Sequence, residues 1–365
     1  MKNNKRKFIV LFLIFVMVFA LAVTMTSCEK TDESILKKDL KGRTSQRIVC
    51  LAPNMVEVVY ALGLGDEIVG WSAYTDYPVD VTKKEGWQPY AYYYDTDAAD
   101  FNVEEELSRE VAVVSKFYDC NYEIVEKLEP TVILGYGTEQ EYMIEDFKGM
   151  GFENSYNYNC LSLDDAYDMM ISVGEILGVP NYAKALVDGY NKELAEIKAI
   201  TDTLTDVPVY FEIAHQMDYG EFGVYGPYTE CAGTPFSDMI DIAGGVNVFN
   251  DIEGSYMEIS FQDIVDRNPE VIFTPYWPDA YDFEVTTTYE IMTRPGFDQI
   301  DAVKHGRVYF YDSSLMKRFG PRTVTAIKKL AYLLHPYYFE NPEKSVSPWE
   351  LGKIDIFEDF PEPLE

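Results

Sequence analysis

The chain has 365 residues, 62 of them acidic and 30 basic, for a formal net charge of −32. That length accommodates two domains with a substantial core, while that charge repels nucleic acid and anionic membrane surfaces. Five cysteines with no C-x-x-C pair, and histidine only at His215, His305 and His335, argue against zinc-finger spacing or a histidine-rich site for a bare metal ion.

Residues 1–28, MKNNKRKFIVLFLIFVMVFALAVTMTSC, run from a basic start through an apolar stretch to small residues before Cys28. This is the layout of an export signal, although the apolar stretch is also nearly long enough to remain as an uncleaved anchor helix. The segment TSCEK resembles a lipobox, in which Cys28 is lipidated and becomes the new N-terminus; Met25 stands where leucine is usual. Both readings tether the protein outside the cytoplasm, the lipoprotein by more than one acyl chain. Cleavage removes four basic residues and takes the net charge to −36. Residues 29–46, polar and charged, predict a flexible tether.

From Arg47 the pattern is strands alternating with helices. RIVCLAPNMVEVVYALGLGDEIVG, residues 47–70, reads as strand, helix and strand, with Ala52-Pro53 ending the first strand and opening the helix. A dinucleotide fold would place G-x-G-x-x-G after Leu51, where APNM stands instead. VAVVS (111–115) and TVILGYG (131–137) predict buried strands, with NYEIVEKLE and EQEYMIEDFKGMG as the helices beside them. Residues 79–110 interrupt this rhythm with an aromatic and acidic insertion holding Trp87, Tyr92, Tyr93 and Tyr94, which reads either as a lid or as a patch packed on the fold. SLDDAYDMMISVGEILG opens with a Ser-x-x-Asp cap pattern. Residues 181–204 then form one long helical stretch, interrupted only by Gly189. After Pro208 the alternation restarts with VYFEIA, FSDMIDIAGG, FQDIVDRNPEVIFTPYW, GRVYFYD and PRTVTAIKKLAYLLHP. The outline is an N-terminal α/β lobe (47–180), a connecting helix (181–204), a second α/β lobe (205–350) and an acidic tail (351–365). Cys50 reads as a small core residue.

These halves resemble the substrate-binding proteins of ABC importers, in the class that serves iron–siderophore, haem and vitamin B12 uptake. The resemblance runs from about Arg47 to Pro336 on six segments in family order: RIVCLAPNMVEVVYALGLGDEIVGWSAYTDYP, NYEIVEKLEPTVILGYG, FSDMIDIAGGVNVF, EISFQDIVDRNPEVIF, AVKHGRVYFYD and GPRTVTAIKKLAYLLHP. It implies an α/β fold of two lobes with mostly parallel sheets, joined by one long rigid helix, with the ligand in the cleft between lobes. The partners it implies are an ABC permease with its ATPase and a metal chelate or corrinoid. The expected protein is a monomer, lipid-anchored on the outer face of the membrane, without cofactor, resident metal or catalytic residues.

The same resemblance points to ligand contacts. Tyr74 lies on the exit loop of GWSAYTDYP, where B12-binding relatives touch ligand, and Phe117 with Tyr118 lies on a matching loop. Tyr256 stands where those relatives carry a cleft-facing tryptophan, Trp277 follows the strand VIFT, and Ser314 and Arg318 stand at the mouth. An aromatic ring offers a wide apolar face to a corrin, porphyrin or catechol plane, and Arg318 offers a partner to an anionic chelate. The competing reading of Arg318 is a salt bridge within this acidic protein. Of the three histidines only His215, after VYFEIA, is expected to reach the cleft, where it or a tyrosine could complete the coordination of a chelated iron. For permease docking the family uses a glutamate on each lobe; Glu123 matches the first, while Gln262 stands in place of the second, next to Asp263 and near Glu258.

Three classes remain at this point: a binding protein for an importer, a surface enzyme on the same scaffold, and a sensory lipoprotein. No G-x-S-x-G, H-E-x-x-H or histidine-centred triad supports the enzyme. Within the first class the sequence favours an iron chelate, with a corrinoid or haem as the alternative.

Overall fold

A computed structural model describes residues 33–93, 96–214, 227–276 and 288–339. The stretch expected to be a tether instead folds from Glu33 as helix α1 (Glu33–Asp39). Leu36 of this helix packs against the core. Asp39 accepts hydrogen bonds from the Tyr182 backbone amide (2.9 Å) and the Asn181 side chain (2.8 Å). Arg43 then clamps Glu67 at 2.6 and 2.7 Å. A polar composition suggested solvation; in fact these polar groups satisfy backbone and side-chain partners on the first lobe and the connecting helix.

The first lobe runs β1 (Ile48–Cys50), α2 (Pro53–Ala61), β2 (Ile68–Ser72), α3 (Val103–Leu107), β3 (Ala112–Ser115), α4 (Tyr122–Lys127), β4 (Val132–Tyr136), α5 (Glu141–Gly149), β5 (Ser155–Tyr158) and α6 (Leu163–Ile176). Its five strands pair in parallel in the order β3-β2-β1-β4-β5. Strands β1, β3 and β4 are short and buried on both faces, which is why they read as continuous apolar runs, whereas edge strand β5 (SYNY) is mostly half-buried. The capping box predicted at Ser162 and Asp165 closes the start of α6. Between β2 and β3 the insertion packs on the lobe: Tyr93 is buried against Phe101 with ring centroids 5.1 Å apart, and Trp87 Nε1 donates to the Thr75 carbonyl at 2.9 Å. Tyr92 stays exposed and hydrogen-bonds Glu105, and Tyr94 lies outside the described residues.

Helix α7 (Pro180–Thr201) is a single unbroken helix of 22 residues, about 33 Å long at 1.5 Å per residue. Proline opens it, but Val179 offers no side-chain cap; Asp39 from α1 supplies that acceptor from outside. It ends three residues before the sequence reading placed its end, because the chain turns at Asp202. Gly174 of α6 lets α7 approach closely: a Cβ there would stand 2.2 Å from that of Ala183.

The second lobe runs β6 (Val207–Ala214), β7 (Tyr228–Glu230), α8 (Pro235–Ile242), β8 (Gly245–Asn247), β9 (Tyr256–Glu258), α9 (Phe261–Arg267), β10 (Val271–Tyr276), α10 (Thr288–Thr293), α11 (Asp301–Lys304), β11 (Val308–Asp312), α12 (Ser313–Lys317) and α13 (Thr323–Leu334). Strands β11, β10, β6 and β8 are parallel. An antiparallel ribbon of β7 and β9 leaves the far end of β6, a departure from simple strand–helix alternation that the sequence did not announce. One apolar core continues from the first sheet through α6 and α7 into α8 and α13. A second cluster around Tyr210, Phe249, Ile264 and Phe297 covers the opposite face of the second sheet, because alternate residues of β6 point to opposite sides. The lobes are therefore joined by packing as well as by chain.

Candidate functional site

The carboxyl ends of the first sheet's strands face the β7–β9 ribbon and α12 of the second lobe, the place where open α/β sheets bind ligands. On the first-lobe side stand Tyr74 after β2, Phe117 and Tyr118 after β3, and Tyr136 at the end of β4. Phe117 and Tyr118 meet edge to face with centroids 5.0 Å apart, and Tyr118 is 70% exposed. The Phe117 carbonyl is held by Gln140 Nε2 at 3.3 Å, and the Tyr118 carbonyl by the Tyr142 hydroxyl at 2.6 Å. Gly137, at φ +83°, makes the turn out of β4 beside the Phe117 ring. Burial pushes the Tyr136 phenol above its ordinary range, and burial also pushes the neighbouring Cys160 thiol up to about 12, which leaves it an inert thiol.

Across the cleft, Tyr256 is 59% exposed and lies within electrostatic reach of Tyr136 and Glu139 of the first lobe. It pairs in register with Glu230 on the adjacent strand, so both side chains share one face of the ribbon. Lys317, at the end of α12, places Nζ 5.7 Å from the Tyr256 ring centroid and 3.8 Å from Glu230 Oε1. Ser314 is half-buried on the same helix. Sequence reasoning missed Tyr136, Glu230 and Lys317, which come together only through strand register and a five-residue helix.

Arg318 does not present a free guanidinium to the cleft. Its Nη1 pairs with Asp76 and, at 3.4 Å, with Glu57, while its Nη2 donates to the Tyr74 carbonyl at 2.9 Å. Of the two readings of this arginine, the salt bridge is the one the geometry gives. Arg322, four residues on at the N-cap of α13, donates to both Glu57 oxygens at 2.8 and 2.7 Å and lies 4.2 Å from the Tyr77 ring centroid. Two arginines of the second lobe are thus locked to two carboxylates and a ring of the first. Burial pushes the Glu57 carboxyl up, and the Arg322 and Arg318 charges pull it back. The signal in the sequence was Glu57 itself, an acid between Val56 and Val58 in an otherwise apolar helix.

The residues matched to docking positions stand at equivalent places. Glu123 is the second residue of α4 after the Asn121 cap, and Gln262 is the second residue of α9 after the Ser260 cap. Both are exposed; Glu123 pairs with Lys127 at 2.7 Å and Gln262 with Asp266 at 2.7 Å. Asp263 is turned back into a capping box with Ser260 and is held below the usual carboxylate range by that hydroxyl and amide. Cys28, His215 and Trp277 lie outside the described residues. Among the described residues there is no cluster of metal-ligating side chains and no helix long and apolar enough to cross a membrane, and Cys50, Cys120, Cys160 and Cys231 are free and buried.

The family model described as "Periplasmic binding protein" matches residues 48–315. The chain belongs to that family. This periplasmic binding protein is 26% identical over 324 residues to the ABC transporter substrate-binding lipoprotein YvrC of Bacillus subtilis, covering 87% of each chain. It is 23% identical over 291 residues to the vitamin B12-binding protein of Vibrio cholerae, covering 80% of this chain and 89% of that one. A crystal structure of a possible iron-binding periplasmic solute-binding protein from Staphylococcus epidermidis shares the fold with a TM-score of 0.62 at 24% identity, covering 80% of this chain and all of that one. The protein is accordingly a solute-binding component of ABC import and not an enzyme, and its partners are a permease with its ATPase and a transported ligand.

Proposed function

We propose that this periplasmic binding protein, anchored by lipid on Cys28, captures a corrinoid in the aromatic cleft and presents it, as a monomer, to an ABC importer. The observation that carries this reading is the neutralisation of Arg318. An anionic iron–siderophore needs unspent positive charge at the mouth, and the charge expected there already serves Asp76 and Glu57. The strongly acidic chain further disfavours a multiply anionic chelate. Tyr74, Phe117, Tyr118, Tyr136 and Tyr256 supply apolar faces for a broad, weakly charged macrocycle, with Ser314 at its rim; His215 and Trp277 complete the expected contacts. The curated relatives named for vitamin B12 support the same ligand class. Docking through Glu123, with Gln262 and Asp263 as its weaker counterparts on the second lobe, belongs to this proposal and steers association more than it tightens it.

The test is spectral. The full chain, purified in detergent, is passed through a desalting column after mixing with cyanocobalamin, haemin or a ferric trihydroxamate. Retention of the cobalamin spectrum at one equivalent is the expected result. Retention of the hydroxamate alone would return the function to iron uptake, and failure to hold cobalamin would remove the corrinoid reading.

A further inference from the structure

Glu230 is the most unusual polar group in the cleft wall. It is 1% exposed, yet among the described residues no donor stands within hydrogen-bond length of its Oε2. Its cationic neighbour among the described residues, Lys317, lies 3.8 Å from the other oxygen, beyond hydrogen-bond length. The buried hydroxyl of Thr234, beside Glu230, and that of Ser313, beside Tyr311, also have no partner within hydrogen-bond length among the described residues. Unmet polar groups of this kind are costly in a folded protein and are retained where something else completes them. Strand register sets Glu230 beside the exposed Tyr256 ring, and Lys317 lies over that ring, so a partner for the pair would arrive from the cleft.

The chemistry of that partner follows from the pair. A carboxylate on the ligand would meet Glu230 with like charge, and an ammonium would meet Lys317. A group bearing an acceptor and a donor side by side suits both. We propose that Lys317 and Glu230 form a clamp for a primary carboxamide of the ligand, Lys317 donating to its oxygen and Glu230 accepting from its nitrogen. The plane of Tyr256 forms the floor. Burial pushes the Glu230 carboxyl up and the Lys317 ammonium down, which suits a neutral guest. This clamp rests on the corrinoid reading, because the rim of a corrin carries primary carboxamides while the haem rim carries carboxylates.

The experiment measures equilibrium binding of cyanocobalamin and of dicyanocobyrinic acid, whose rim amides are replaced by carboxylic acids, to the full chain in detergent. The wild type is expected to favour the amide ligand. Lys317→Met and Glu230→Leu should each weaken cyanocobalamin binding about 10- to 100-fold, the range for a hydrogen bond to a charged group. The double variant should be little weaker than either single one, and should lose the preference for amide over acid. Glu230→Gln, which keeps size and an acceptor, should retain most affinity and guards against a variant that merely misfolds. Variants that bind cyanocobalamin within about twofold of wild type would overturn the clamp and leave the corrinoid reading standing. A wild type that binds neither corrinoid would overturn both.

Discussion

The buried ion cluster between the lobes gives the sharpest stability prediction. Glu57 has no exposed side-chain surface, and Arg322 donates to both of its oxygens at 2.7 and 2.8 Å. Replacing Arg322 by Met leaves a buried carboxylate with Arg318 as its remaining partner at 3.4 Å. Removing one member of a buried pair costs about 3–5 kcal/mol, and the surviving arginine places this case at the lower end, about 3 kcal/mol. In urea, with a slope of about 3 kcal/mol per molar, the unfolding midpoint falls by about 1 M. The double variant Glu57→Leu with Arg322→Met removes both charges and should unfold within about 1 kcal/mol of wild type, since a buried pair gains little over apolar packing. The recovery from single to double variant is the coupling that a cycle reads directly. If Arg322→Met unfolds at the wild-type midpoint, or the double variant is as weak as the single, the pair does not hold the lobes as described.

Gly174→Ala should destabilise despite the better helix propensity of alanine, because the new Cβ meets Ala183 at 2.2 Å and overpacking costs about 1–3 kcal/mol; a raised melting temperature would contradict the close approach of α6 and α7. Glu67 is pushed up by burial but brought below its ordinary range overall by Arg43 and the Gln46 amide. Its contribution is therefore full above about pH 4.3, the unfolded value, and is lost as pH falls through the depressed folded value; the stability gap between wild type and Arg43→Met should shrink over that acid range, and a gap that is constant with pH would refute it. Glu123→Arg should weaken permease-coupled ATPase stimulation several-fold at low salt and much less at high salt, whereas an equal loss at both would place Glu123 outside the docking surface.

Much of the fold was legible because its signals are local. Ala52-Pro53, the Ser162–Asp165 box and the apolar runs of β1, β3 and β4 mark their own element ends, since proline geometry, caps and burial act within a few residues. The long helix was visible from periodicity, although its end was placed three residues late and its cap came from Asp39, far back in the chain. The antiparallel ribbon went unread because β7 and β9 are three residues each, too short to show alternation. Among the site residues, Tyr256 was matched by its place in a family segment, but its neighbours Glu230 and Lys317 were not. Arg318 was read both as a ligand partner and as a salt bridge, and only Asp76 and Glu57 brought from the other lobe separate the two.

By itself the sequence determined the class of molecule: two α/β halves about one helix, no nucleotide loop, no catalytic constellation, and a family order of segments that leads to import. Those properties follow from patterns that repeat every two or four residues, or from motifs a few residues long. The tertiary structure alone decided which charges pair across the lobes and which stand together at the cleft wall. Glu57 and Arg322 are 265 positions apart, and Glu230 and Lys317 are 87 apart, so their pairing depends on how sheets and ribbon stack in space, and no local pattern along the chain encodes it.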